Sequence, residues 1–336
     1  MKKSLFVFSI MISMLITMMP ICSASEDQIN KNVIVHYPEI FEAAVPSETS
    51  NYDVAVSNML QMGWSMKEIA DLPEKMILDY ADAQSTSKST KYFCYCADES
   101  DEEYIVEMKK DQFDYHVNQE KSKINDGADV TQLSSTGKLA ISNIWSTSTD
   151  LNQYNSTGYL KQDQYLAWEG NNTFLNSYRW EWVIHPVNTR EDVFYLTHQD
   201  NTTMIQDSEN YVYKYDFALS NDTIVSETYE SYTPVTYSYD GTSGVAYTVN
   251  LKDPEAYVAS DGFINYRYTN HRGYMSYRTV LNNSNVTATS AAGGYIHCTK
   301  IPIVSPSVSF SGLDVSVSPS YAFVDETPGT YCSTRK

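Results

Sequence analysis

The sequence predicts a mainly β protein, an antiparallel β-sandwich that carries a small helical module at its amino terminus. From Lys91 onward, apolar and polar residues alternate with a period of two, which is typical of half-buried strands. Turn residues, not helical segments, separate these strand patterns, and this favours antiparallel pairing. Aromatic residues make up 13% of the chain, with 28 Tyr against 11 Phe, which is enough to fill a sizeable core.

Residues 1–25 are predicted to be a secretory signal peptide. Two lysines precede an apolar run at 5–19, and small residues follow at 23–25. The run is too short for a comfortable membrane span, and the carboxy-terminal end shows no hydrophobic tail or sorting motif. We therefore expect a secreted, extracellular protein without a stable membrane anchor.

Residues 26–84 are predicted to form a small helical module. Ser65 and Glu68 have the spacing of a capping box, and Trp64 and Ile69 have that of a hydrophobic staple. Asp71 and Glu74 have the spacing of a second capping box, with Pro73 in the first turn of a further helix. Such short helices are unstable alone, so they are expected to pack on the rest of the chain.

Residues 85–336 are predicted to form an antiparallel β domain of one sheet or two packed sheets. Three hairpins are expected, with turns at 240–244, 270–273 and 311–314. No helix is predicted in this part of the chain.

Two short windows resemble a known group of proteins. The first comprises Gly63-Trp64-Ser65-Met66-Lys67-Glu68-Ile69, Asp71-Leu72-Pro73 and Tyr80-Ala81-Asp82-Ala83, and the second comprises Trp180-Glu181-Trp182 and Arg190-x-Asp192-Val193-Phe194. Both are similar to stretches of uncharacterised secreted β-rich proteins of Gram-positive bacteria. The resemblance implies export from a Gram-positive cell and implies no activity.

The charge balance limits the classes of partner. The chain has a formal net charge of −19 and a pI near 4.6, which argues against nucleic acid and anionic membrane surfaces as partners. Cationic partners and calcium remain compatible with it. No cofactor is predicted, and the six histidines form no H-x-H or H-E-x-x-H metal motif.

The cysteines that follow the signal peptide are even in number, which in an exported protein predicts disulfides. They are Cys94, Cys96, Cys298 and Cys332. A bond within the first pair is expected to be strained, so distant pairing, or a bond between the last two alone, is favoured. A zinc site that adds His297 is the alternative, although the usual C-x₂₋₄-C spacing is absent.

The stretch around Trp180 and Trp182 is the candidate ligand-binding site. On a strand these two side chains share one face, and Arg179 and Glu181 share the other. Exposed, the indoles would suit stacking on sugar rings, with the flanking charges fixing hydroxyls. Buried, the same stripe would be the core face of a sheet. Both interpretations stay open, and burial is favoured.

No catalytic motif stands out in the sequence. His185 precedes a proline and His271 lies in a predicted hairpin turn, so both are interpreted as solvated loop residues. A hydrolase would need a site assembled from scattered strands. The charge-poor segment 279–320 alternates Ser and Thr with apolar residues, a pattern shared by half-buried sheets and by pore-forming hairpins.

The function favoured by these observations is a secreted binding or surface-interaction module for a glycan or a protein, and not an enzyme. The first alternative is a pore-forming or membrane-damaging protein that uses 279–320. The second is an extracellular hydrolase with a scattered site.

Overall fold

A computed structural model describes residues 50–97, 103–125, 155–186, 191–219, 227–234, 236–251, 257–258, 265–298, 307–318 and 330–335. The predicted signal peptide lies outside the described residues. The domain boundary between residues 84 and 85 stays a prediction.

Helices and strands are numbered here in chain order within the described residues. The helices are α1 Asn51–Gln61, α2 Met66–Ala70, α3 Glu74–Leu78 and α4 Lys110–Asn125. The strands are β1 Ser85–Ala97, β2 Glu103–Met108, β3 Asn155–Gly170, β4 Thr173–Ile184, β5 Glu191–His198, β6 Thr202–Met204, β7 Asn210–Leu219, β8 Glu227–Ser231, β9 Thr236–Asp240, β10 Gly244–Asn250, β11 Tyr257–Val258, β12 Asn265–Leu281, β13 Ala288–Ile296, β14 Ser307–Ser311, β15 Asp314–Ser318 and β16 Thr330–Arg335.

Two antiparallel sheets form the body of the protein. Among the described residues, the large sheet has nine strands in the order β2-β1-β3-β4-β12-β7-β8, with β6 and β11 also paired to β12. The small sheet has five described strands in the order β16-β13-β5-β10-β9. The two sheets pack face to face, so the protein is a mainly β, antiparallel sandwich, as the sequence predicts.

The main core lies between the two sheets and is rich in aromatic residues. It takes Phe93 and Trp180 from the large sheet, and Phe194 and Tyr247 from the small sheet. The indole of Trp180 contacts the ring of Phe194 edge to face at 5.5 Å between centroids. The period-two alternation in the sequence thus reflects strands with one face in this core.

Helices α1–α3 pack on the outer face of the large sheet. The capping box at the start of α2 forms as predicted, because Glu68 N donates to Ser65 Oγ at 3.2 Å and Ser65 N donates to Glu68 Oε2 at 2.8 Å. Trp64 lies under the helices and stacks on Tyr165 of β3 at 4.2 Å. The predicted second box is wrong: Pro73 occupies the cap of α3, and no side chain caps that helix.

Helix α4 contradicts the expectation that no helix follows the amino-terminal module. Its buried stripe is narrow, formed by Phe113, His116, Val117 and Glu120. Because apolar residues are few in this segment, its helical periodicity is weak. The helix is held by packing of Phe113 and Val117 on the outer face of the large sheet.

Two of the three predicted hairpins form, and one does not. Strands β9 and β10 pair across 241–243, and β14 pairs with β15 across Gly312 and Leu313. The predicted turn at 270–273 is instead a bulge inside the continuous strand β12, with Asn270 at φ 51°. Asn at positive φ occurs in turns and in bulges alike, so the sequence pattern does not separate them.

The β14–β15 hairpin covers the outer face of the small sheet. Val317 is buried there against Val193 and Ile296, and Phe310 packs beside it. The serines at 309 and 316 face solvent and bond each other at 2.7 Å between Oγ atoms. Strands β14 and β15 are therefore half-buried sheet, whereas β13, in the same charge-poor segment, is buried on both faces.

Candidate functional site

The two tryptophans of the candidate ligand-binding site are buried in the core of the protein. Strand β4 lies inside the large sheet, between β3 and β12, and the small sheet covers one of its faces. Trp180 and Trp182 are 0% and 1% exposed on that face. The indole Nε1 of Trp182 donates to the hydroxyl of Tyr295 at 3.0 Å. Neither indole presents a face to a sugar, so this part of the predicted site is core.

The other two residues of that predicted site lie in an ionic network beneath α2. Arg179 binds Glu181 at 2.8 Å and Glu68 at 3.4 Å, and Lys161 binds Glu68 at 2.6 Å. Burial alone would raise the pKa of Glu68, but the positive charges of Arg179 and Lys161 lower it to about 2. These charges hold the helices to the sheet and are engaged within the chain.

The predicted disulfides and the zinc alternative are not found in the structure. Cys94, Cys96, Cys298 and Cys332 are buried free thiols. In the β13–β16 register, Cys332 lies opposite Ala291, seven residues before Cys298. At about 3.3 Å per strand residue, the two cysteines are far beyond the ~7 Å Cα limit of a disulfide.

The zinc alternative fails because its ligands lie in different layers. Cys94 and Cys96 pack on the outer face of the large sheet, whereas Cys298 packs on the outer face of the small sheet. Both sheets separate them. The described residues contain no group of three or more His, Cys, Asp or Glu side chains placed to hold a metal ion.

The interpretation of His271 as a solvated loop residue is wrong. Because β12 runs through the bulge, His271 is 0% exposed, and its Nδ1 lies 2.5 Å from the hydroxyl of Tyr213. His185 is half-buried and packs edge to face on it, with 4.4 Å between ring centroids. Both rings therefore belong to the packed end of the large sheet.

A buried acid–histidine pair lies between the sheets. Asp192 and His297 are both 0% exposed, and His297 Nδ1 lies 2.9 Å from Asp192 Oδ2. The same carboxylate accepts from the Tyr295 hydroxyl at 2.5 Å and from Cys298 N at 2.8 Å. With three partner groups from β13 and the residues just after it, this carboxylate fixes β5 to β13.

Three loops meet at one end of the sandwich; the sequence predicts two of them as hairpin turns, but it does not predict that the three come together. They are residues 199–201, 241–243 and 312–313, here called the loop end. Backbone bonds join the strands on both sides of the first loop to the second loop, because His198 N donates to Ser243 O at 3.0 Å and Met204 N donates to Gly241 O at 3.1 Å. Thr197 Oγ1 donates to Leu313 O at 3.2 Å and so fixes the third loop to the end of β5.

The loop end presents carboxylates and one exposed tyrosine. Asp200 and Asp314 are exposed, and a Cβ placed on Gly312 would lie 3.8 Å from Asp200 Oδ1, so the first and third loops touch. Asp240 holds the second loop by accepting from Thr242 N at 2.9 Å. Tyr239 is 46% exposed beside that loop.

The aspartates of the loop end also act on the buried imidazole of His198, which lies behind them. Burial lowers the pKa of this imidazole to about 4, against an opposing effect of Asp240 and then Asp200. His198 is therefore neutral near pH 7, and its Nδ1 bonds the Tyr277 hydroxyl at 3.0 Å. The negative charge at the loop end is not cancelled by this histidine.

The fold and the loop end together define a class of structure, an antiparallel β-sandwich with a polar, acidic set of end loops. No protein-family model matches the chain, and the search of curated proteins gives no significant match. Among solved structures, the collagen binding domain of Erysipelothrix rhusiopathiae surface protein RspB is similar at a TM-score of 0.24 and 8% identity, covering 54% of this chain and 67% of that one. A similarity at this level carries no argument about ligand. No helix within the described residues is long and apolar enough to span a membrane.

Proposed function

We propose that the protein is an extracellular binding module that engages the basic surface of a protein ligand through its loop end. The main support for this proposal is that three loops come together and present Asp200, Asp240 and Asp314 beside the exposed Tyr239. Tyrosine supplies a large contact area at low entropic cost, and short polar loop residues supply adaptable hydrogen bonds. Loops on a rigid scaffold are where binding functions concentrate.

Charge supports a basic protein as the ligand. The chain carries a net charge of −19, and three arginines are paired with carboxylates of the same chain. These are Arg179, Arg272 and Arg278. Because these cations are already paired, they do not offset the exposed carboxylates of the loop end, which would steer a basic partner to this surface.

Burial of the tryptophans favours a protein over a glycan. Sugar recognition by stacking needs flat aromatic faces at the surface, and both indoles of β4 lie in the core. The large aromatic residues exposed in the described part of the chain are tyrosines, namely Tyr52, Tyr115, Tyr232 and Tyr239. Of these, Tyr239 adjoins the loop end.

The experiment is a binding screen with the purified protein against immobilised extracellular proteins of basic and acidic pI and against a glycan array. We expect saturable binding to a basic protein that weakens as the salt concentration rises from 50 to 500 mM. Charges at the rim of an interface interact over about one Debye length, and this length shrinks from over 10 Å to a few Å across that range. Binding to glycans alone, or protein binding that is indifferent to salt, would contradict the proposal.

A further inference from the structure

Two thiols of the large sheet lie in contact with each other. Cys94 and Cys96 are separated by one residue on β1, and their Sγ atoms are 3.1 Å apart. On a regular strand, side chains two residues apart share a face but stay about 6–7 Å apart, too far for a disulfide. The β1–β3 register shifts between Tyr95 and Cys96, and this bulge accompanies the close approach of the two sulfurs.

Both thiols are buried beneath α4. They pack in one cluster with Phe113 and Val117 of that helix and with Met108 of β2. The hydrogen bond with Cys96, followed by burial, holds the pKa of the Cys94 thiol well above its usual range. A thiol that stays protonated at neutral pH is a poor nucleophile, so exchange at this pair is slow once α4 covers it.

The remaining cysteines are held elsewhere. Cys298 lies on the outer face of the small sheet, and Cys332 lies at the end of the inter-sheet core, with its Sγ directed to Gln164 O at 3.2 Å. Neither lies in the cluster under α4. Any bond from the pair to these residues would require the sandwich to open.

We propose that Cys94 and Cys96 form a disulfide with each other when the chain folds in an oxidising environment. Each thiol loses its proton, one S–S bond forms, and two electrons pass to a disulfide oxidant, which is reduced to two thiols. The proposed export supplies such an environment, but the chemistry itself depends only on the bulge. The reaction takes place before α4 closes over the sulfurs, and the helix then protects the bond.

The test uses the purified chain from residue 26 onward, which lacks Cys22 of the predicted signal peptide, reduced, unfolded and then refolded in a buffer of reduced and oxidised glutathione. Thiols are blocked with iodoacetamide in denaturant, and disulfides are then reduced and labelled with N-ethylmaleimide. Trypsin releases both cysteines on one peptide, Tyr92–Lys109, without any other cysteine. We expect N-ethylmaleimide on both Cys94 and Cys96, and iodoacetamide on Cys298 and Cys332.

Two controls make the result specific to the folded geometry. The same glutathione buffer with urea added gives the extent of pairing in the unfolded chain, and we expect several-fold less of the pair there. Cys298→Ser should leave the labelling of the pair unchanged, whereas Cys96→Ser should leave Cys94 open to iodoacetamide or to glutathione. Iodoacetamide on both residues of the folded wild type, a bond to Cys298 or Cys332, or equal pairing in urea would overturn the proposal. Because no ligand takes part, failure of the binding proposal leaves this test unaffected.

Discussion

Removing the Trp64 side chain tests how the helices are attached to the sandwich. Trp64 is 3% exposed and stacks on Tyr165 of β3, with Tyr80 and Tyr274 packed at its edges at 5.8 and 6.0 Å between centroids. A Trp64→Ala substitution deletes this ring and leaves a cavity between α1–α3 and the sheet. Truncation of a buried Trp or Phe to Ala costs about 3–5 kcal/mol, which includes the transfer and cavity contributions.

The loss is measured by urea unfolding, followed by circular dichroism and tryptophan fluorescence. We expect the free energy of unfolding to fall by about 3–5 kcal/mol, with the transition kept cooperative. Tyr52→Ala, which removes an aromatic ring from α1 that is 38% exposed, is the matched control and should change the free energy by less than about 0.5 kcal/mol. A loss below about 1 kcal/mol for Trp64→Ala would refute the docking of the helices on the sheet.

Three further outcomes follow from the structure. The pKa of Glu68 near 2 lies below its usual value of 4.5, so its ion pairs stabilise the fold fully above about pH 5 and are lost as pH falls toward 2. Glu68→Gln should therefore lower the urea midpoint at pH 7 but weaken its fall between pH 5 and pH 2, and parallel pH profiles of variant and wild type would contradict this. Val317→Asp places an unpaired charge against Val193 and should lower the free energy of unfolding by about 2–4 kcal/mol. Ser316→Asp, on the exposed face of the same strand, should lower it by less than about 0.5 kcal/mol. Equal urea midpoints for the two variants would show that the hairpin does not pack on the small sheet. The wild type should release no dye from anionic vesicles, and release at low protein concentration that Val317→Asp abolishes would restore the pore-forming hypothesis.

Local sequence patterns predicted the elements that depend on local physics. The capping box of Ser65 and Glu68 sets the start of α2 through contacts three residues apart, so the sequence contains all of its parts. The β9–β10 and β14–β15 hairpins likewise follow from alternation on both sides of a short polar turn. The sandwich follows from repetition of such strands without intervening helices.

The features that the sequence did not predict depend on contacts between residues far apart in the chain. Arg179 and Glu181 have the composition of a ligand site, but Arg179 also pairs with Glu68, which comes from a helix more than a hundred residues earlier. The bulge at 270–272 buries His271, although the same residues would fit a hairpin turn. The loop end arises only when β5, β10 and the β14–β15 hairpin come together, so no single window of sequence contains it.

The most direct test of the proposed function compares two double variants of equal charge. Asp200→Asn with Asp314→Asn changes the loop end, and Asp82→Asn with Asp111→Asn removes the same charge from exposed positions in the helical regions. The assay is the dissociation constant for the basic protein ligand at a fixed salt concentration. The loop-end variant should bind at least about tenfold more weakly, a loss of about 1.4 kcal/mol, and the control should bind as the wild type does. Equal weakening of both variants would show that net charge alone drives the binding, and unchanged binding by the loop-end variant would place the ligand elsewhere.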